Sequence, residues 1–195
     1  VILFSMRGMT DSALTVGGKS KLQAQAINLA EGGLDLVQTQ INTNKRRFAD
    51  PACWDTLETS DVCDSSSNSM AETGETKYYA LFSDLVDSTP NLIGPLTNAT
   101  NEFSDSIILS RLPNTYSIYT KYLAPGEIKP ILSGPGNGAV LSPYSRLITI
   151  RGISTDVNGD TILEEGLRVT STVKWPYKNE VKTHQVSTTF FNNED

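Results

Sequence analysis

The chain has one histidine, His184, and two cysteines, Cys53 and Cys63. A structural zinc site takes four Cys or His ligands at characteristic spacings, and this chain does not have them. A Ser-His-Asp or Cys-His arrangement would have to use His184, which sits in an alternating polar and apolar stretch and reads as a sheet residue. No G-x-x-x-x-G-K-[ST], G-x-G-x-x-G or G-x-S-x-G signature occurs. Gly134-Pro135-Gly136-Asn137-Gly138 is glycine-rich, but Pro135 removes an amide donor that a phosphate cradle needs. With no convergent catalytic groups, a secreted enzyme is the weakest of three readings. The other two are a structural subunit and a binding module.

Excess positive charge is missing too. Lysine and arginine number 16 against 22 acids, for a formal net charge of −6. Nucleic-acid affinity comes largely from neutralised phosphates, so DNA is not indicated as a partner. The one basic cluster, Lys45-Arg46-Arg47, reads as cations complementing a helix C-terminus. Proline is absent before Pro51, so no proline breaks a helix over the first fifty residues.

What fills that region is helical in pattern. Ile27, Ala30, Leu34, Val37 and Ile41 recur at intervals of 3, 4, 3 and 4, the spacing of one helical stripe. Leu22, Leu29 and Leu36 recur every seven residues and form a second line. Two lines imply two surfaces to bury, one on the chain's own sheet and one on a partner such as another copy. Over residues 9–48 the helix would be about 60 Å long at about 1.5 Å per residue. Gly17-Gly18 and Gly32-Gly33 inside it point to close helix approach or local unwinding. The apolar run at residues 1–6, closed by Arg7, reads as the end of a longer apolar segment with Arg7 at a membrane boundary.

Residues 1–50 are thus a helical unit and 51–195 a β-rich head. Asp50-Pro51 ends the helix. Residues 52–76 are rich in Ser, Asp, Thr and Asn and read as a surface loop pinned by a Cys53–Cys63 disulfide. The disulfide implies an oxidising compartment. Residues 77–86 read as a first strand or a short helix, and candidate strands cover 106–112, 116–122, 146–154, 167–175 and 181–191. The clearest is 167–175, where Val169, Ser171, Val173 and Trp175 alternate with Arg168, Thr170, Thr172 and Lys174. Asn158-Gly159 reads as a hairpin turn. Asp156, Asn158 and Asp160 resemble the start of a calcium loop, but the EF-hand order fails because Gly159 stands fourth and Leu167 twelfth. Calcium is kept only as a minor alternative to a plain turn; otherwise no cofactor is expected.

Ala26-Ile27-Asn28-Leu29-Ala30-Glu31-Gly32-Gly33-Leu34-Asp35 resembles the A-x-x-x-A-E-A-G-L-E stretch of minor type IV pilins and related pseudopilins. Leu147-Ile148-Thr149-Ile150-Arg151-Gly152, Asn158-Gly159 and the strand 169–175 are similar to that family's Y-x-I-T-x-R-G strand, glycine turn and V-x-V-x-W strand. The resemblance implies an α+β, pilin-like fold: a long N-terminal helix on a four- or five-stranded antiparallel sheet. It implies a non-enzymatic subunit of a bacterial filament, with other pilin subunits as partners and the inner membrane as anchor before assembly. Its place would be the cell envelope, then an extracellular filament or the periplasm. The binding-module alternative is a secreted or tip-located adhesin recognising a surface, carbohydrate or DNA through loops 87–104 and 124–143.

Overall fold

The computed structural model describes residues 2–57, 63, 69–80, 103–112, 116–124, 127–131, 140–155 and 164–192. Helix α1 spans Ile2–Arg47 and places Lys45, Arg46 and Arg47 in its last turn, where cations oppose the free carbonyls. Pro51 forbids its continuation. Asp50 instead caps a 3-10 turn, Pro51–Cys53, its carboxylate accepting from the Ala52 amide at 2.9 Å. Cys53 is bonded to Cys63. A bridge between Thr56 and Ser69, with the Met70 amide donating to the Asp55 carbonyl at 2.8 Å, closes the loop further along. Fixing a loop of this length contributes about 2–3 kcal/mol through the unfolded chain.

Strands β1 (Thr76–Tyr79), β2 (Ser117–Ala124), β3 (Glu127–Ile131), β4 (Val140–Thr155), β5 (Glu164–Tyr177) and β6 (Glu180–Phe191) form one antiparallel sheet. Its main path runs β3-β2-β4-β5-β6. β4 is long enough to serve two neighbours on one edge. β2 pairs with it over residues 140–145, and β1 over residues 148–151. The chain is therefore of the α+β class, a helix packed on an antiparallel sheet.

Several sequence expectations change. Residues 106–112 do not form a strand; Asp105–Ser110 is the short helix α2, ended by Arg111 in the left-handed region. Only Ile108 of its apolar run is buried, with Phe103, Tyr116 and Leu147 on the sheet face away from α1. A single buried position in six is met by a helical turn as readily as by a strand. The first strand or short helix expected at 77–86 is the strand β1, which starts at Thr76 and ends at Tyr79; 81–86 lie outside the described residues. The candidate loop 124–143 contains β3 and the start of β4. β3 lies at the sheet edge, where Pro130 need not supply a ladder amide. The Asn158-Gly159 turn falls within residues 156–163, which lie outside the described residues. As expected from the sequence Pro176 to Asn179, a turn joins β5 to β6; it is the two residues Lys178-Asn179, with Lys178 in the left-handed region.

Candidate functional site

The helix-to-sheet contact is where the sequence singled out residues, and its geometry is built from α1, β4, β5 and β6. The buried line of α1 is Ala26, Ala30, Gly33, Val37, Ile41 and Asn44. Ala30, Val37 and Ile41 were expected there; Ala26, Gly33 and Asn44 were not. Leu34 packs beside Val37 and Ile41 against Ile148, Ile150, Val169 and Trp54. Leu22 and Leu29 pack with Ala26 and Ala30 around Tyr144, Val173 and Trp175. Ile27 and Leu36 are half-buried and belong to neither cluster. The first apolar line thus supplies much of the centre of one broad face, at Ala30, Val37 and Ile41, and Leu22 and Leu29 of the second line flank it. The opposite side carries Ala24, Asn28, Glu31, Asp35 and Gln38, all exposed.

Small residues let the helix approach closely. A Cβ on Gly33 would stand 2.3 Å from Ser171 Oγ, 3.0 Å from Ser171 Cβ and 3.2 Å from Arg146 Cδ. Gly33 is therefore the close-approach glycine that the sequence pair 32–33 suggested. At Gly18 an added Cβ meets nothing within 4 Å.

Three polar contacts fix the helix along its buried line. The Tyr144 hydroxyl lies 2.9 Å from the Leu22 carbonyl and donates to it, and it also contacts Gln25 Oε1 at 3.0 Å. Arg146 Nη1 donates to the Leu29 carbonyl at 2.8 Å. Asn44 Nδ2 donates to the Trp54 and Thr56 carbonyls at 3.1 and 2.8 Å, while its Oδ1 accepts from Gln40 at 2.9 Å. Leu22 and Leu29 are seven residues apart, two turns of helix, and their carbonyls meet side chains two residues apart on one face of β4. These contacts join distant parts of the chain, and no local pattern announces them.

Arg146 is the most unusual member. It is 5% exposed, and burial pulls its guanidinium down to about 10. Among the described residues, its Nη2 and the nearby Ser171 Oγ have no hydrogen-bond partner. A buried cation with one neutral acceptor does more for position than for stability. Arg146→Met is expected to keep stability within about 1 kcal/mol of the parent. Arg146→Lys, which keeps the charge but loses the planar reach to Leu29, is expected to cost about 2 kcal/mol. Urea unfolding of the two variants side by side measures the difference.

A cleft of about 270 Å³ lies at the other end, lined among others by Trp54, Asp55, Cys63, Ser69, Glu72 and Glu165. Asp55 is buried, and burial with the nearby Glu165 charge pushes its carboxyl up to about 6, against the opposing pull of its own backbone amide. Burial likewise raises the Tyr144 hydroxyl to about 12. Among the described residues no group of three or more His, Cys, Asp or Glu is arranged to hold a metal. Asp156, Asn158 and Asp160 lie outside the described residues, as do 87–102 and 132–139 of the candidate binding loops. His184 is on β6, paired with Val173 and on the α1 face of the sheet. Among the described residues no helix is long and apolar enough to cross a membrane.

No protein-family model, curated protein or solved structure matches the chain.

Proposed function

We propose that this chain is a structural subunit of a bacterial filament of the type IV kind, a pilin-like protein assembled through α1. The observation that carries the reading is the division of labour along α1. Among the described residues, its contacts with the sheet run from Leu22 to Ile41, and Asn44 bonds to the segment after the 3-10 turn, while the helical backbone extends back to Ile2. In sequence, Ile2, Met6, Met9, Ala13 and Val16 recur at intervals of 4, 3, 4 and 3, the spacing of a helix-on-helix seam. On this reading the seam at residues 2–16 meets neighbouring subunits, while residues 22–44 hold the chain's own head.

Two further features support it. The stretches that carry the pilin resemblance meet in space: residues 26–35 lie over Arg146, Ser171 and Val173 of β4 and β5. Gly152, the last residue of the β4 stretch, is held where a Cβ would stand 2.0 Å from the Glu72 carbonyl, so glycine is required there. The Cys53–Cys63 bond fits assembly outside the reducing cytoplasm. On this reading the partners are other filament subunits. The location is the cell envelope and then the filament, and the protein carries out no catalysis.

Mechanical shearing of filaments from producing cells, followed by mass spectrometry of the purified filaments, tests the proposal. The chain is expected in the sheared fraction, bound tightly enough to survive a salt wash. Recovery only from the soluble extracellular or periplasmic fraction would contradict it.

A further inference from the structure

Among the described residues, the main path of the sheet ends in two edges of very different character, and β1, four residues long, pairs only with β4 and leaves a short third edge. β3 is five residues long and contains Pro130, which has no amide to offer a neighbour. β6 is twelve residues long and lies at the other end of the order. Tyr177 and Glu180 close the two-residue turn into β6 as a hydrogen-bonded pair, and such pairs then alternate along an antiparallel ladder. The Asn192 amide, donating to the Glu165 carbonyl at 3.1 Å, falls in the same alternation. Even-numbered residues of β6 therefore bond to β5. Val181, Thr183, Gln185, Ser187, Thr189 and Phe191 turn their amides and carbonyls outward. Among the described residues nothing accepts or donates to these main-chain groups.

Natural sheets blunt such an edge with charge, proline or a bulge. Residues 183–191, THQVSTTFF, contain no Asp, Glu, Lys, Arg, Pro or Gly. The register of β6 on β5 is continuous, without a bulge. The charges of β6, Glu180 and Lys182, are confined to the hairpin end.

We propose that β6 is an interface with a second copy of this chain, the two β6 strands pairing antiparallel about a two-fold axis at Val186. In that register Val181, Thr183 and Gln185 of one copy oppose residues 191, 189 and 187 of the other. Every outward amide and carbonyl finds a partner. Lys182 falls opposite residue 190, so like charges never meet, whereas parallel pairing would bring the two lysines together. Val186 and Phe190 already pack on the α1 side of the sheet. The axis therefore keeps both helices on one face of a continuous sheet. Among the described residues, neither the short β3 edge with its proline nor the four-residue β1 offers a run as long as a second β6, so pairing closes as a dimer instead of propagating. This inference rests on β6 alone and is independent of the filament reading.

Sedimentation over a range of concentrations, with residue-resolved hydrogen exchange on the whole chain, tests it. A dimer is expected whose Thr183, Gln185, Ser187 and Thr189 amides are protected at high concentration and exchange freely on dilution. Gln185→Pro removes one outward amide from each copy and is expected to weaken association at least tenfold. Gln185→Lys combined with Ser187→Lys places lysines opposite one another across the axis and is expected to abolish the dimer. Both lysines lie at exposed positions, so the monomer fold should survive. Exchange of these amides that is fast at every concentration would overturn the proposal. So would association that the double lysine variant leaves unchanged.

Discussion

Gly33→Val is expected to lower the stability of the chain by about 3 kcal/mol or more. On intrinsic propensity the change should help, since glycine in a helix interior costs about 1 kcal/mol relative to alanine. Contact reverses the sign. A Cβ at this position meets Ser171 Oγ at 2.3 Å and Ser171 Cβ at 3.0 Å, with Arg146 Cδ at 3.2 Å behind them. Ser171 is fully buried on a central strand and has nowhere to swing, so the helix itself must lift. Lifting would break the Arg146–Leu29 contact and open the packing of Ala26 and Ala30. Gly33→Ala is expected to show the same effect at about 2 kcal/mol, and Ser171→Gly in the same chain should recover at least about 1 kcal/mol by removing both clashing atoms. Gly18→Ala is the control: with nothing within 4 Å, it should leave stability unchanged or raise it by up to about 1 kcal/mol. Equilibrium urea unfolding reads all four. A neutral Gly33→Ala would mean that the helix does not sit this close to β5.

The second large effect is the pH dependence set by Asp55. Its folded carboxyl titrates near 6, raised by burial and by Glu165, against 3.8 in an unperturbed carboxyl. The native state holds this proton more tightly than the unfolded chain. Its contribution to stability is therefore complete below about pH 3.8 and lost as pH rises through 6. The difference amounts to about 3 kcal/mol as an upper bound. Asp55→Asn cannot ionise and fits the same space. It is expected to be more stable than the parent at pH 7 by up to about 3 kcal/mol, and equal to it near pH 4. Thermal melts of both proteins between pH 4 and 7.5 measure the gap. A parent-to-variant difference that does not change with pH would show that Asp55 is ionised in the fold throughout.

Much of the fold was legible because its signals are local. The alternation at 167–175 lies within β5, with Leu167, Val169, Ser171, Val173 and Trp175 all buried. The absence of proline before Pro51 matches the uninterrupted α1. The cysteines, ten residues apart in a polar stretch, are joined. What escaped depends on partners distant in sequence. The Gly32-Gly33 pair pointed to close approach without naming Ser171 as what it approaches, and Leu22 and Leu29 were read as a second surface because Tyr144, Val173 and Trp175, which they pack on, lie far off in the sequence. Tyr144, Arg146 and Asn44 read as ordinary polar residues until the chain brings them to carbonyls of another element. Arg146 left one trace, a cation in a stretch whose neighbours Leu147, Ile148 and Ile150 are all buried. α2 was missed because Ser106 to Leu112 is too short for its period to separate helix from strand.

The central claim is that the N-terminal half of α1 joins this chain to its neighbours while the other half holds its own sheet. Site-specific photo-cross-linking tests it most directly, with the reactive side chain at Met9 or Ala13 and, for comparison, at Val37, in the cell that makes the protein. The account predicts covalent adducts from Met9 and Ala13 that map to helices of neighbouring filament subunits. From Val37 it predicts only links within the chain, to β4 and β5. Adducts from Met9 and Ala13 that map only to the chain's own head, or no adducts with another subunit, would contradict it.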